Sequence, residues 1–263
     1  MDFGMPTLIE NKNLDETVSL CRELGLQFIE LNMNFPMYQV PQLEDTDYLR
    51  QLTEQNDIYF TIHLDENLNV CDFNRFVADA YMETVERTLK VAKEIDAPLL
   101  NMHMNDGIYI TLPDRKVRLF GEYREEYMSA FQRFRDMCER VAKDAGTKIC
   151  IENTDGYQDF EKEAIDYLLQ SDMFALTWDI GHSYTCDNVD EDFLMRHKDR
   201  LHHFHIHDGL GNKNHQTLGT GEIDLAQRIG IAKECGCRCV VETKTIEALR
   251  KSVVWLKENG YMC

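Results

Sequence analysis

Short apolar runs alternate with longer stretches of helical periodicity along the whole chain. Runs at 3–8, 27–33, 59–65, 98–105, 148–154, 174–182, 201–208 and 237–244 have the length and apolar density expected of buried strands. Between them, 14–24, 43–56, 72–96, 122–146, 160–170, 190–198, 223–235 and 246–259 read as helices. In the first helix Leu14, Val18 and Cys21 form the buried stripe. Asn13, with Glu16 three residues on, offers a capping box, and Gly25 ends the helix. In the third, Val77, Tyr81, Val85, Thr88 and Ala92 recur on one face, and in the last Ile246, Leu249, Val253 and Leu256 do the same before Gly260. The stretch around Pro113 reads as loop.

Eight strand–helix units in strict alternation predict a parallel sheet joined by right-handed crossovers. Eight such units in 263 residues match the size of a closed (β/α)8 TIM barrel, an α/β fold, here expected to span 1–263 as one domain. A doubly wound open sheet is the alternative. It usually carries a Gly-rich first turn, and this chain has none.

The formal charge of −19 and the pI near 4.8 disfavour general nucleic-acid binding, because such a surface repels phosphate backbones. The first residues, MDFGMPTLIENKNLDE, lack the apolar core of a secretory signal, and no run is long enough to span a membrane. Nine cysteines, an odd number scattered through a large chain, read as reduced thiols, so a cytoplasmic protein is expected. Cys235, Cys237 and Cys239 alternate as in a strand and lack zinc-site spacing, which assigns them to core packing.

The chemistry lies at the ends of the strands. They finish on Glu30, His63, His103, Glu152–Asn153, Asp179 with His182 after it, His205–Ile206–His207–Asp208, and Glu242. Each alone has an ordinary structural reading as a cap or a hydrogen-bonded core residue. A closed barrel, however, aims all eight strand ends at one mouth. Three carboxylates and an imidazole converging there without a cation would each cost several kcal/mol in desolvation. No matching set of Lys or Arg stands at the strand ends. A divalent metal ion would neutralise them. Carboxylate-rich donors with one imidazole suit Mn²⁺, Mg²⁺ or Co²⁺, and Zn²⁺ as histidines are added.

The segments IENTDG (Glu152), TWDIGHS (Asp179, His182), HFHIHDG (His205), HQTLGTGEID (His215 to Asp224) and VVETK (Glu242) resemble the xylose-isomerase-like, or AP-endonuclease-2-like, barrel superfamily. TIHLD (His63) and NMHMNDG (His103) do so as well. The resemblance runs in order over essentially all eight strands. It implies a metal-dependent sugar or sugar-phosphate isomerase or epimerase with a small carbohydrate substrate. Glu152, Asp179, His205 and Glu242 would ligate one divalent ion, and His205 is preferred over His207 because it stands three residues before Asp208. Glu152 and Glu242 would be the catalytic pair, one removing and the other returning a proton alpha to a carbonyl through a cis-enediolate. His182, Lys213, His63 and His103 would contact substrate.

The endonuclease IV branch would instead place His63 and His103 with Glu152 on one additional metal, and His182 and His215 on another. There Lys213 stands where that branch has an acidic ligand, which undermines the last of these sites. An inosose-type dehydratase shares the first proton abstraction and stays open, as does a homo-oligomer. Among the remaining residues, Trp178 should point away from the mouth, Glu30 is open to substrate, supporting and structural roles, and His202 and His203 read as structural. Gly219 and Gly221 are open to loop and substrate roles.

Overall fold

The strand-length apolar runs form a ring of eight parallel strands. In a computed structural model, which describes residues 1–142 and 146–262, these are β1 (Phe3–Pro6), β2 (Phe28–Asn32), β3 (Tyr59–His63), β4 (Leu99–His103), β5 (Lys148–Glu152), β6 (Phe174–Asp179), β7 (Leu201–Ile206) and β8 (Arg238–Val241). Each pairs in parallel with its neighbours in sequence, and β8 closes on β1 through Phe3–Cys239 and Gly4–Val240. The chain is therefore a single-domain (β/α)8 TIM barrel, as the alternation predicts, and the open sheet is excluded.

Two hydrophobic populations follow from the period-two geometry of the strands. Ile29, Leu31, Phe60, Ile62, Leu100, Met102, Ile149, Ile151, Phe174, Leu176, Trp178, Phe204, Ile206 and Val241 belong to one large core shared with the surrounding helices. Burying each such side chain is worth about 1.5–3 kcal/mol. The alternate strand positions Leu99, Cys150 and Ala175 form a separate small cluster. Above it the alternate positions turn polar: Glu30, Thr61, Asn101, Thr177 and His203 are all buried.

Helix ends carry the expected signals. Asn13 Oδ1 accepts the Glu16 N–H at 2.9 Å, and Gly25 takes the left-handed conformation at φ 77°. The Glu16 carboxylate meets the Lys12 N–H, one residue before the cap. Elsewhere the boundaries differ for local reasons. The predicted 43–56 helix is two, Val40–Leu43 and Thr46–Asn56, because Asp45 breaks the run and caps the second through Tyr48 N–H. The predicted 122–146 helix is Leu119–Glu122 followed by Arg124–Ala142, and its stretch 143–145, like Cys263, lies outside the described residues.

The long helix Arg75–Glu94 buries Val85, Thr88 and Ala92 but leaves Val77 exposed and Tyr81 half-buried. Twenty helical residues span about 30 Å, whereas a five-residue strand spans about 17 Å, so the first turns overhang the barrel. The region of Pro113 is a hairpin, Tyr109–Thr111 against Lys116–Arg118, rather than plain loop. The strand predicted to reach His182 stops at Asp179, whose carboxylate caps the helix Ile180–Thr185 by accepting the His182 N–H at 2.7 Å. Of the three alternating cysteines only Cys239 lies in a strand. Cys235 ends the helix Leu225–Glu234, and Gly236 at φ 67° turns the chain between them. No helix among the described residues is long and apolar enough to cross a membrane.

Candidate metal centre

The strand ends converge because neighbouring strands are in matching register. His103 pairs with Glu152 across β4–β5, and Asp179 pairs with His205 across β6–β7. Glu242 follows β8 directly, its N–H bonded to Ile206 O at 3.0 Å. His205 Nδ1 lies 3.1 Å from Glu152 Oε1, 3.0 Å from Glu242 Oε2 and 3.8 Å from Asp179 Oδ2. One ligand atom from each of Glu152, Asp179, His205 and Glu242 can be chosen so that all four lie within 4.8 Å of one another. That span is close to twice a metal–ligand bond of about 2.0–2.4 Å, so a single ion fits among them.

The donor chemistry fits as well. Three carboxylates and one imidazole stand together, all buried except the partly exposed Glu242. The buried Glu242 Oε2 atom makes no hydrogen bond among the described residues, its 3.0 Å approach to His205 Nδ1 being a charge contact. A buried anionic oxygen with no donor is costly unless a cation faces it.

The surrounding groups hold the carboxylates in place. Glu152 Oε2 accepts from Asn101 Nδ2 and from His103 Nε2 at 3.1 Å, and His63 Nε2 stands 3.3 Å away. Thr177 in turn donates to Asn101 Oδ1. His182 Nδ1 lies 3.4 Å from Asp179 Oδ2 and 3.5 Å from Glu152 Oε1. The sequence-predicted residues His63, His103 and His182 are thus all at the cluster, with His63 and His103 against Glu152. His215 stands beside it. Its Nδ1 is 3.2 Å from Glu242 O, and its ring lies 5.5 Å from that of His182.

Lys213 is the exception. It begins the hairpin strand Lys213–Gln216 as an exposed side chain, with no hydrogen bond or ion pair to the cluster among the described residues. The cation at the centre is Lys244, whose Nζ meets Glu242 Oε1 at 2.8 Å. The reason is local: Lys244 follows Glu242 by two residues, whereas the hairpin presents Lys213 to solvent. Lys244 was readable in the sequence only as part of VVETK.

Three further residues were underread. His207 Nε2 reaches Asp179 Oδ1 at 3.0 Å, and its Nδ1 accepts the His215 N–H at 2.8 Å. Both ring nitrogens are therefore engaged, Nε2 toward Asp179 and Nδ1 as acceptor, which fixes the orientation of the His207 ring. Gly181 is required beside it, because a Cβ there would overlap the His207 ring. Glu30 and His203, read as open or structural, form a buried pair beneath His205, with His203 Nε2 2.9 Å from Glu30 Oε2. Gly221 has a reason of its own to be glycine in the loop. A Cβ there would collide with Gly209 O and Asp208, whose Oδ2 accepts the Gly221 N–H at 2.7 Å. Trp178 points outward into the core and donates to Ser183 Oγ at 2.9 Å.

Electrostatics follow the geometry. Burial is the largest single influence and would raise Glu152 and Glu242. The charge and close approach of His205, together with the charge and hydrogen bond of His103 at Glu152 and the charges of Lys244 and His215 at Glu242, outweigh it and hold both well below the usual range. Burial opposes charge on His205, yet Glu152, Glu30 and Glu242 together raise it well above an ordinary imidazole. His63 behaves likewise: the hydrogen bond and charge of Glu152 overcome burial and raise it to about 9. At His215 burial wins: Glu242 and Asp179 favour its charged form, but His207 and Lys244 oppose them, and it is pushed down to about 4. The centre is open to solvent on one side, where Glu242, His103 and His182 keep side-chain exposures of 12%, 15% and 19%.

Comparison with known proteins agrees with this architecture. An uncharacterized protein of Methanocaldococcus jannaschii is 26% identical over 235 residues, covering 86% of this chain and 85% of its own. Among solved structures, a D-tagatose 3-epimerase-like protein superposes with a TM-score of 0.76 at 23% identity, covering 98% of this chain and 96% of its own. The apo 3-keto-D-glucoside 4-epimerase of E. coli gives a TM-score of 0.76 at 16% identity, covering 98% and 99%. A model of the xylose isomerase-like TIM barrel matches residues 18–259. With that match spanning nearly the whole chain, and the ring of strands in hand, the protein belongs to the xylose isomerase-like TIM barrel family.

Proposed function

We propose that this protein is a divalent-metal-dependent isomerase or epimerase of a small ketose or ketose phosphate. The observation that carries this reading is the meeting of Glu152, Asp179, His205 and Glu242 within 4.8 Å at the open end of the barrel. Two proteins with the same fold, a D-tagatose 3-epimerase-like protein and a 3-keto-D-glucoside 4-epimerase, support it. When bound, the ion would supply positive charge to the substrate oxygens as a proton leaves the neighbouring carbon.

The chain's own residues do the rest. Glu152 and Glu242 come from strands three apart around the ring, so a substrate lying over His205 would have a carboxylate toward each of two sides. One accepts the proton alpha to the carbonyl and the other returns one to the resulting cis-enediolate. Asn101 and His103 hold the Glu152 carboxylate in place, and Lys244 holds that of Glu242, so both are oriented before substrate arrives. His182, partly exposed beside both Asp179 and Glu152, is placed to contact a substrate hydroxyl.

The test is incubation with a panel of ketoses and ketose phosphates in D₂O with Mn²⁺. Solvent deuterium is expected at the isomerised or epimerised carbon. Exchange accompanied by loss of water would select a dehydratase. No exchange with any panel member, together with metal-dependent nicking of abasic DNA, would overturn the reading in favour of a nuclease.

A further inference from the structure

His205 has two ring nitrogens in different surroundings. Nδ1 faces Glu152, Glu242 and Asp179, while Nε2 points the other way, 2.8 Å from Glu30 Oε1. That approach is an ion-pair contact lying off the N–H axis. The second oxygen of Glu30 is held from below: His203 Nε2 stands at 2.9 Å and Thr61 Oγ1 at 3.1 Å. Glu30, Thr61, His203 and His205 are all buried.

A carboxylate has no proton to give, so His203 must donate through Nε2. Its own Nδ1 is then left buried without a hydrogen-bond partner among the described residues. Four polar side chains, with His203 Nδ1 and His205 Nε2 both left without a hydrogen bond among the described residues, thus occupy a layer that barrels ordinarily fill with branched apolar side chains. As a packing device this is poor, because a buried charge pair is seldom better than apolar residues of the same volume.

We infer that Glu30 is a positioning residue for the metal centre. An imidazole that ligates through Nδ1 keeps its proton on Nε2, and a carboxylate facing Nε2 selects that tautomer and makes Nδ1 a better donor. His203 and Thr61 fix Glu30 for this task. The inference rests on Glu152, Asp179, His205 and Glu242 holding a metal, as proposed above.

The experiment compares wild type, Glu30→Gln and His203→Asn. Zn²⁺ and Mn²⁺ affinities are measured by chelator competition, and the zinc-loaded proteins are examined for the downfield Nε2–H resonance of His205. Glu30→Gln should weaken metal binding by about 10- to 100-fold and shift or abolish that resonance. His203→Asn, which leaves the carboxylate but removes one of the two donors to its Oε2, should weaken binding by about 3- to 10-fold. Glu30→Asp should recover part of the loss, which a purely structural role would not produce. Affinity within twofold of wild type and an unchanged His205 resonance in Glu30→Gln would overturn the inference. Should Glu30→Gln not fold, His203→Asn and Thr61→Val are judged by the same two readouts. If wild type itself binds neither ion, it is the metal-centre reading that fails, and the result is separable from a failure of Glu30 alone.

Discussion

The two faces of the barrel strands are built from opposite materials. The face turned to the helices is an apolar shell, with Phe60, Leu100, Ile151, Leu176, Trp178 and Ile206 in one continuous core. The face turned to the lumen is polar over its upper part, from Asn101, Thr177 and His203 to Glu152, Asp179 and His205. Strand alternation alone separates them, since neighbouring residues on one strand point to opposite faces. The difference implies a division of labour. The shell supplies the hydrophobic stabilisation of the fold. The lumen accepts desolvation costs that only a bound cation and a reaction would make worthwhile.

Substitutions on the two faces should therefore fail in different ways. The largest expected effect is in the lumen. Glu152→Gln keeps the shape of the side chain but removes a base and a ligand charge. Turnover should fall by about three or more orders of magnitude, and metal affinity, measured separately, should account for part of the loss. Retained turnover within tenfold would break the proposed role. On the shell, Leu176→Ala leaves a cavity between strand and helices. It should cost about 3 kcal/mol in denaturant unfolding while leaving the metal affinity of the folded protein nearly unchanged. A Leu176→Ala protein that stays fully stable but loses its metal would reverse the division.

Much of this partition was legible in the sequence. The apolar runs, the alternation and the capping residue Asn13 all sit where local chemistry puts them. The strand-terminal Glu152, Asp179, His205 and Glu242 were visible because a closed barrel makes the end of every strand a neighbour of the others. What was not legible depends on contacts remote in sequence. Nothing near Glu30 says that His203, 173 residues away, will stand beneath the same imidazole. Nothing in the loop after β7 says that Lys213 turns outward while Lys244 reaches Glu242. His182 was misplaced on a strand because its apolar context hides the helix start that the Asp179 carboxylate creates.

A smaller effect separates the lumen from a buried carboxylate that has no imidazole to answer it. Glu161, at the start of the helix Asp159–Leu168, is pushed up to about 7, chiefly by burial and also by the nearby charges of Asp106 and Asp190, against the lowering hydrogen bond to Gln158 N–H. Between its ordinary value of 4.5 and about 7 the folded protein binds the extra proton, so stability should fall as pH rises through this window. Glu161→Gln should flatten that dependence, by a difference on the order of 2 kcal/mol across the window in unfolding measurements at constant ionic strength. An unchanged slope would mean that Glu161 is ionised throughout.

The measurement that bears most directly on the central claim is a crystal structure of the protein loaded with Mn²⁺, read at the manganese absorption edge and paired with metal analysis of the same sample. The account predicts one strong anomalous peak at the barrel mouth, with Glu152, Asp179, His205 and Glu242 each placing an oxygen or nitrogen about 2.0–2.4 Å from it. It also predicts that loading with excess zinc gives one or two ions per chain. An ion bound elsewhere while these four groups stay empty, or three tightly bound zinc ions that recruit His182 and His215, would contradict it.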